Sequence, residues 1–342
     1  MREIGSEFWF EDDLPQAVSD RDGVYALSGR TAIDLIIQDI LKTRKIRNVY
    51  MPAWCCDSML APFVAHGIDI KFYDISLAES ADTAEILCYF CDFRENIFYV
   101  TNYFGYENSL PVETVKKFKE QGATILYDRT HSFLMEKDPY LDLADYSFAS
   151  IRKWMGVIGG AVVDGMKDCQ LKPYPYLECK EKAMQMKKAF IEGDMSIDKQ
   201  TFLNLYSEFG HHLAEDYQNY EMDDLSYAIY KAEDLSAMRS KRRENAKYLH
   251  DNLKGVKFIG NLSNNAVPLF VPVFFETTEQ RNAVRKKLIE AQIYCPIHWP
   301  KPTLIPAYFE ANKIYDTELS LICDQRYDLT DMERMVTLIN NL

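Results

Sequence analysis

No stretch of the 342-residue chain approaches the roughly 20 consecutive apolar residues of a membrane-crossing helix. The opening Met1-Arg-Glu-Ile-Gly-Ser-Glu-Phe-Trp-Phe10 carries acidic residues and lacks the apolar core of a secretory signal. The expectation is a cytoplasmic chain with no membrane partner. Positive charge is also scarce. The 39 Lys and Arg residues face 52 Asp and Glu, a formal net charge of −13, so neither nucleic acid nor an anionic bilayer is expected as a partner. Two nucleotide signatures are missing. There is no Gly-x-x-x-x-Gly-Lys, and no Gly-x-Gly-x-x-Gly follows a strand-like run, which removes the main nucleotide-binding loops. The eight cysteines of a chain this long read as thiols, not as a disulfide framework. Cys88 and Cys91 form a C-x-x-C with no second pair to complete a zinc ribbon, and read as core packing. His211-His212 lies beside Glu208, Glu215 and Asp216, a polar helix face, and no metal is expected. No internal repeat or low-complexity linker separates parts of the chain.

What is present is a large apolar fraction, 47%, arranged in alternating short strand-like and longer helix-like runs. Ile33, Ile36, Ile37, Ile40 and Leu41 recur at helical spacing and predict a helix over 31–43. Strands are expected at 49–51, 70–73, 98–101, 123–127, 146–149 and 160–163, with helices over 57–65 and 111–121. This alternation implies an α/β fold, a mainly parallel sheet between helices, with functional residues at strand ends. From about Leu171 the texture changes to long helical patterns over 178–191, 202–220 and 234–253. A strand over 267–273, a helix over 278–291, a short strand over 319–321 and a closing helix over 331–341 follow. Length sets an expectation of about two domains. The division expected is a large domain with an N-terminal arm over 1–235 and a smaller C-terminal α+β domain over 236–342.

The most informative segment is Asp145-Tyr-Ser-Phe-Ala-Ser-Ile-Arg-Lys-Trp-Met-Gly-Val-Ile-Gly-Gly-Ala-Val-Val163. Lys153 stands between a strand-like run and a glycine-rich turn, with Ser150 three and Ser147 six residues before it. A lysine that must form an imine needs such a fixed, partly dry setting with a phosphate anchor nearby. Upstream, the apolar run Ala123-Thr-Ile-Leu-Tyr ends in Asp128, with His131 three residues later. Ser28-Gly29-Arg30-Thr31 precedes the first helix, where backbone N–H groups and hydroxyls can hold a phosphate.

In these segments the chain resembles the fold-type-I pyridoxal-phosphate (PLP) enzymes, and among them the DegT-like sugar aminotransferases. The resemblance rests on the order of Leu27-Ser-Gly-Arg-Thr-Ala32, Val49-Tyr-Met-Pro-Ala-Trp-Cys-Cys-Asp-Ser58, Phe98-Tyr-Val-Thr-Asn-Tyr-Phe-Gly105, Leu126-Tyr-Asp-Arg-Thr-His131, the lysine segment and Ile293-Tyr-Cys-Pro-Ile-His-Trp-Pro300. It implies a seven-stranded-type sheet, PLP as cofactor, Lys153 holding the aldehyde carbon and Asp128 keeping the pyridine nitrogen protonated. His131 would lie near the ring. Residues 28–31 with Ser150 or Ser147 would take the phosphate. Trp54 would face the ring, although the family's aromatic falls two residues later, at Cys56, and Asn102 would line the pocket. Arg326 offers a planar fork for a substrate carboxylate. Asn219, in Gln-Asn-Tyr-Glu-Met222, matches a segment by which the family reaches its partner subunit's cofactor, with Glu221 in place of an arginine. A homodimer with shared sites follows from it. The implied reaction is transfer of an amino group from an amino-acid donor to a keto acceptor, a nucleotide-linked keto-sugar in the sugar enzymes. Two alternatives stay open: a PLP lyase or desulfurase using Cys55 or Cys56 as acceptor thiol, and a non-catalytic PLP-fold protein.

Overall fold

The computed structural model describes residues 2–10, 14–75, 93–106, 110–167 and 169–341; the Cys88/Cys91 motif lies outside them. The elements in chain order are β1 (Ile4–Gly5), β2 (Val24–Ala26), α1 (Gly29–Leu41), β3 (Asn48–Pro52), α2 (Asp57–Ala65), β4 (Asp69–Tyr73), β5 (Asn96–Thr101), α3 (Val112–Glu120), β6 (Thr124–Asp128), β7 (Tyr146–Ser150) and β8 (Ala161–Asp164). There follow α4 (Leu177–Ile191), α5 (Lys199–Glu215), α6 (Asp224–Ala232), α7 (Leu235–Asn252), β9 (Lys257–Phe258), β10 (Val271–Phe274), α8 (Thr278–Glu290), β11 (Ile293–Tyr294), α9 (Ala311–Thr317), β12 (Glu318–Leu321) and α10 (Leu329–Asn340).

Seven strands form one sheet in the order β2-β8-β7-β6-β5-β3-β4. The pairs from β4 through β7 are parallel, and β8 runs antiparallel to both its neighbours. Strands β5 and β6 are buried at every position, as expected of strands covered on both faces. Their carboxyl ends, Thr101 and Asp128, sit side by side in register. The fold is thus the α/β architecture with a mainly parallel central sheet that the sequence implied.

A second core joins β10, β12, α7, α8 and α10 around Val273, Leu321, Leu288 and Met335. The chain start belongs to it: β1 pairs with β11, and Ile4 is fully buried there. A third cluster, with Trp154, Met155, Met222 and Val267, lies under the lysine segment.

Local differences from the expected elements have identifiable causes. The predicted helix over 202–220 stops at Glu215, because residues 219–221 turn back to pair with Lys172 and Ala26. The strand expected from Val267 begins at Val271; Val267 and Leu269 instead donate their N–H groups to Gly105 and Phe104. The three-residue β2 is too short for periodicity to reveal.

Candidate active site

Ser28 follows β2 and caps α1, its hydroxyl accepting the Thr31 N–H at 3.2 Å. The two hydroxyls lie 2.9 Å apart. Gly29 allows the helix start to press against β7: a Cβ there would stand 3.3 Å from the Phe148 ring and 3.4 Å from the Ser150 Cβ. The first turn of α1 carries no acidic residue. Its positive end, with Ser28, Gly29 and Arg30, opens on a cavity of about 180 Å³.

Strand ends supply much of the cavity wall. Thr101, Asp128, Phe148 and Ser150 line it, with Lys153 from the turn after β7, Cys56 from the start of α2, His131 and Trp299. Asp128 is 7% exposed. Its Oδ2 accepts from the Tyr99 hydroxyl at 2.8 Å and its Oδ1 from the Thr130 N–H at 2.9 Å, so its carboxylate form is well supplied with donors. The Ser150 hydroxyl is buried, and among the described residues it has no hydrogen-bond partner. An unpaired buried hydroxyl at a cavity wall is the mark of a group meant for a ligand.

Lys153 ends a tight 3-10 turn, Ile151–Lys153. The next residue, Trp154, anchors the turn. Its indole N–H donates to the Thr130 carbonyl at 2.6 Å. Its carbonyl accepts from Gln325 and Arg242, and the Arg242 guanidinium lies over its ring. Burial lowers the Lys153 pKa from the ordinary lysine value and the Arg152 charge adds to this, against the opposing influence of Cys56 and Asp128.

The tautomer of His131 follows from one contact. The Phe104 N–H can only donate, and it points at Nδ1 at 3.2 Å, so Nδ1 is the bare nitrogen and the proton is on Nε2. Burial, with the Lys153 charge and His298 reinforcing it, keeps this ring neutral, its pKa well below the usual value. The ring stacks on Trp299, centroids 5.6 Å apart.

The remaining predicted residues take other places. Thr31 backs Ser28 from behind. Trp54 does not reach the cavity: it is fully buried, stacked on Tyr103 at 4.5 Å, with its indole N–H donated to the His298 carbonyl. The tryptophan at the cavity is Trp299, and Cys56 lies where the sequence marked the departure. Asn102 closes the turn to Tyr106, donating to the Tyr106 carbonyl and accepting from the Gly105 N–H. Ser147, near the start of β7, donates to Asp164, which leaves Ser150 as the serine at the wall. Arg326 is committed to a buried pair with Asp324 at 2.8 Å and lies over the Phe8 ring at 3.9 Å. Asn219 sits apart from the cavity and accepts from Gln38 at 3.0 Å. Cys55 is buried, its N–H bound to the Tyr315 hydroxyl, while Cys56 alone of the pair is at the wall. His212 stacks on Tyr176 and faces Glu208, an ordinary helix-surface arrangement. Among the described residues no helix is long and apolar enough to cross a membrane.

Among the wall residues that the sequence did not mark are Glu7, Arg152, Lys180 and Tyr206. Arg152 adjoins Lys153 and was within reach. The others come from segments that look like an ordinary arm and ordinary polar helices.

Comparison with known proteins agrees with this picture. Residues 197–325 match the sequence model of the DegT/DnrJ/EryC1/StrS aminotransferase family. No curated protein matches the chain by sequence. Among solved structures, the PLP form of Spr1654 from Streptococcus pneumoniae, described as a sugar aminotransferase, superimposes with a TM-score of 0.67 at 12% identity, covering 93% of this chain and 86% of that one. The sugar aminotransferase CalS13 from Micromonospora echinospora gives 0.64 at 12% identity, with 93% and 86% covered. DesV from S. venezuelae, solved with a ketimine intermediate, gives 0.64 at 15%, with 93% and 84% covered. These likenesses show that the chain shares the fold of these aminotransferases, and its sequence resembles the DegT-like family over residues 197–325.

Proposed function

We propose that the chain is a PLP-dependent aminotransferase that moves an amino group from an amino-acid donor to a keto acceptor, a nucleotide-linked keto-sugar by analogy with its neighbours. The observation that carries this reading is the unpaired, buried Ser150 hydroxyl in a cavity that also holds Lys153 and Asp128. The residues fit the cofactor. Ser28, Gly29 and Arg30 at the α1 N-terminus, with Ser150, suit its phosphate. Asp128 suits the protonated ring nitrogen, and Cys56, His131 and Trp299 wall the ring.

When bound, the cofactor supplies an aldehyde carbon and a ring that takes up electron density from the donor's α-carbon. Lys153 holds that aldehyde carbon. As a free amine it would serve as the base that moves the proton at the donor's α-carbon, a task helped by its lowered pKa. Asp128, oriented by the Tyr99 hydroxyl and the Thr130 N–H, would pair with the protonated ring nitrogen. His131, neutral, brings no charge to compete with either. The working unit is proposed to be a homodimer.

Borohydride reduction of cofactor-loaded protein, followed by peptide mapping, is expected to label Lys153. Label on Lys180, the other lysine at the cavity, would overturn the assignment. A screen of amino donors, reading formation of pyridoxamine phosphate, tests the reaction itself. Cys56 at the wall gives the lyase reading its one support. Alanine or sulfide release from a cysteine donor would favour it over transamination.

A further inference from the structure

One wall of the cavity has no part in holding a cofactor by the reading above. It consists of Lys180 on α4, Arg152 beside Lys153, Glu7 on the N-terminal segment, and Tyr206 on α5. Lys180 is 4% exposed, and its ammonium lies 5.3 Å over the Phe209 ring. No hydrogen bond from that ammonium is found among the described residues, and Nε of Arg152 is buried without a partner there. Cationic groups at a cavity wall with hydrogen-bonding capacity unused are suited to a ligand's negative charge.

Among the described residues Glu7 is the acidic side chain on this wall, and it is oddly placed. Lys180, Arg152, Lys187 and Arg326 all surround its carboxylate electrostatically. The residue is exposed as a whole; local desolvation of the carboxyl opposes its ionisation, yet these four cations outweigh it and hold its pKa below the ordinary value. No hydrogen bond from any of them ends on its carboxylate among the described residues. Lys187 and Arg326 donate instead to the Glu7 main-chain carbonyl. The backbone here is therefore pinned while the side chain is not. Phe8 and Trp9 reinforce the pinning: the Phe8 carbonyl accepts from Tyr206, and the Lys187 ammonium lies 4.9 Å over the Trp9 ring.

We infer that Lys180 and Arg152 form a subsite for an anionic group of the substrate, a carboxylate or a phosphate, and that Glu7 is the internal counter-ion this group replaces. The inference rests on the aminotransferase reading only in calling the ligand a substrate. Exchange requires rotation of one side chain and no movement of the anchored segment. Arg326, locked onto Asp324, takes no part in the subsite.

The test is calorimetric titration of the cofactor-loaded protein with glutarate, with inorganic phosphate and with neutral glutaramide. Glutarate or phosphate is expected to bind and glutaramide not; tighter glutarate binding marks a carboxylate substrate, tighter phosphate binding a phosphorylated one. Lys180→Gln should weaken the bound anion by about tenfold or more, the scale of one hydrogen bond to a charged group. Lys180→Arg should restore it, and Glu7→Gln should tighten it by removing the competitor. Cofactor affinity of Lys180→Gln should match the parent. Three results would overturn the subsite: anion binding unaffected in Lys180→Gln, weaker binding in Glu7→Gln, or loss of cofactor in Lys180→Gln, which would assign Lys180 to the cofactor phosphate. If Lys180-dependent anion binding is found but no donor yields pyridoxamine phosphate, the subsite stands and the aminotransferase reading fails.

Discussion

The Tyr99 hydroxyl donates to Oδ2 of Asp128 across 2.8 Å, from the middle of one buried strand to the end of the next. Desolvation, reinforced by the Asp128 charge, raises the Tyr99 pKa well above that of a free phenol, so the group remains a donor at any working pH. Tyr99 thus supports the carboxylate that is proposed to hold the ring nitrogen, without lining the cavity itself.

Tyr99→Phe is expected to load cofactor and to lose about 10- to 100-fold in turnover, the equivalent of about 1.5–3 kcal/mol for a hydrogen bond to a charge. Asp128→Asn removes the charge itself and should lose more. Single-turnover rates at measured cofactor occupancy check both. Parent-like turnover in Tyr99→Phe would show that the Thr130 N–H alone suffices.

Two tryptophans should separate cleanly. Trp54→Ala empties a fully buried site and is expected to cost about 3–5 kcal/mol of stability. Trp299→Ala, at the cavity wall, should chiefly weaken cofactor binding. Urea unfolding of the apo-protein and cofactor titration read the two effects, and an exchange of the two phenotypes would restore Trp54 as the ring's neighbour.

His298 predicts an acid sensitivity. Desolvation among Phe104, Phe270 and Trp299, with the Lys153 charge adding to it, pushes its pKa down to about 3. The unfolded imidazole titrates near the ordinary 6.5. Between those two values the unfolded state binds the extra proton, so stability falls as the pH falls through that window. His298→Gln removes one such proton and should flatten the slope there by about 1.4 kcal/mol per pH unit. Equal slopes in urea titrations of the two proteins would show that the imidazole is protonated in the fold.

Lys180 sets the opposite limit for anion binding. Burial lowers its pKa to about 8; Glu7 on the N-terminal segment and Asp223 before α6 oppose the shift, and Arg152 after β7 adds to it. Its charge is present below that value and lost above it. Glutarate or phosphate affinity should therefore decline as the pH rises through about 8, and Lys180→Arg should extend binding to higher pH. A flat profile in the parent would contradict the role given to Lys180.

Much of this site was legible because its signals are local. A strand ending in Asp128, a capped helix after Ser28 and a glycine-rich turn after Lys153 each announce themselves within a few residues. What stayed hidden depends on packing. Trp54 and Trp299 look equivalent as residues, and only the path of the chain around His298 decides which of them faces the cavity. Arg326 reads as a free fork, yet Asp324 two residues earlier occupies it. Lys180 sits in a lysine-rich helix with nothing in its sequence to set it apart, yet packing beside Phe209 buries it at the cavity wall. Ser147 and Ser150 are separated by strand position, which spacing from the lysine did not resolve.

The wall that runs from Ser28 to Trp299 draws on almost the whole length of the chain. During synthesis no early fragment can present a complete site, since the last aromatic emerges after the sheet's strands have been made. A small molecule that binds there stabilises only the finished arrangement, by mass action on the folded state, and cannot guide the slow pairing of distant strands. Cofactor added to a refolding mixture should accordingly raise the final yield of native protein while leaving the initial collapse rate unchanged.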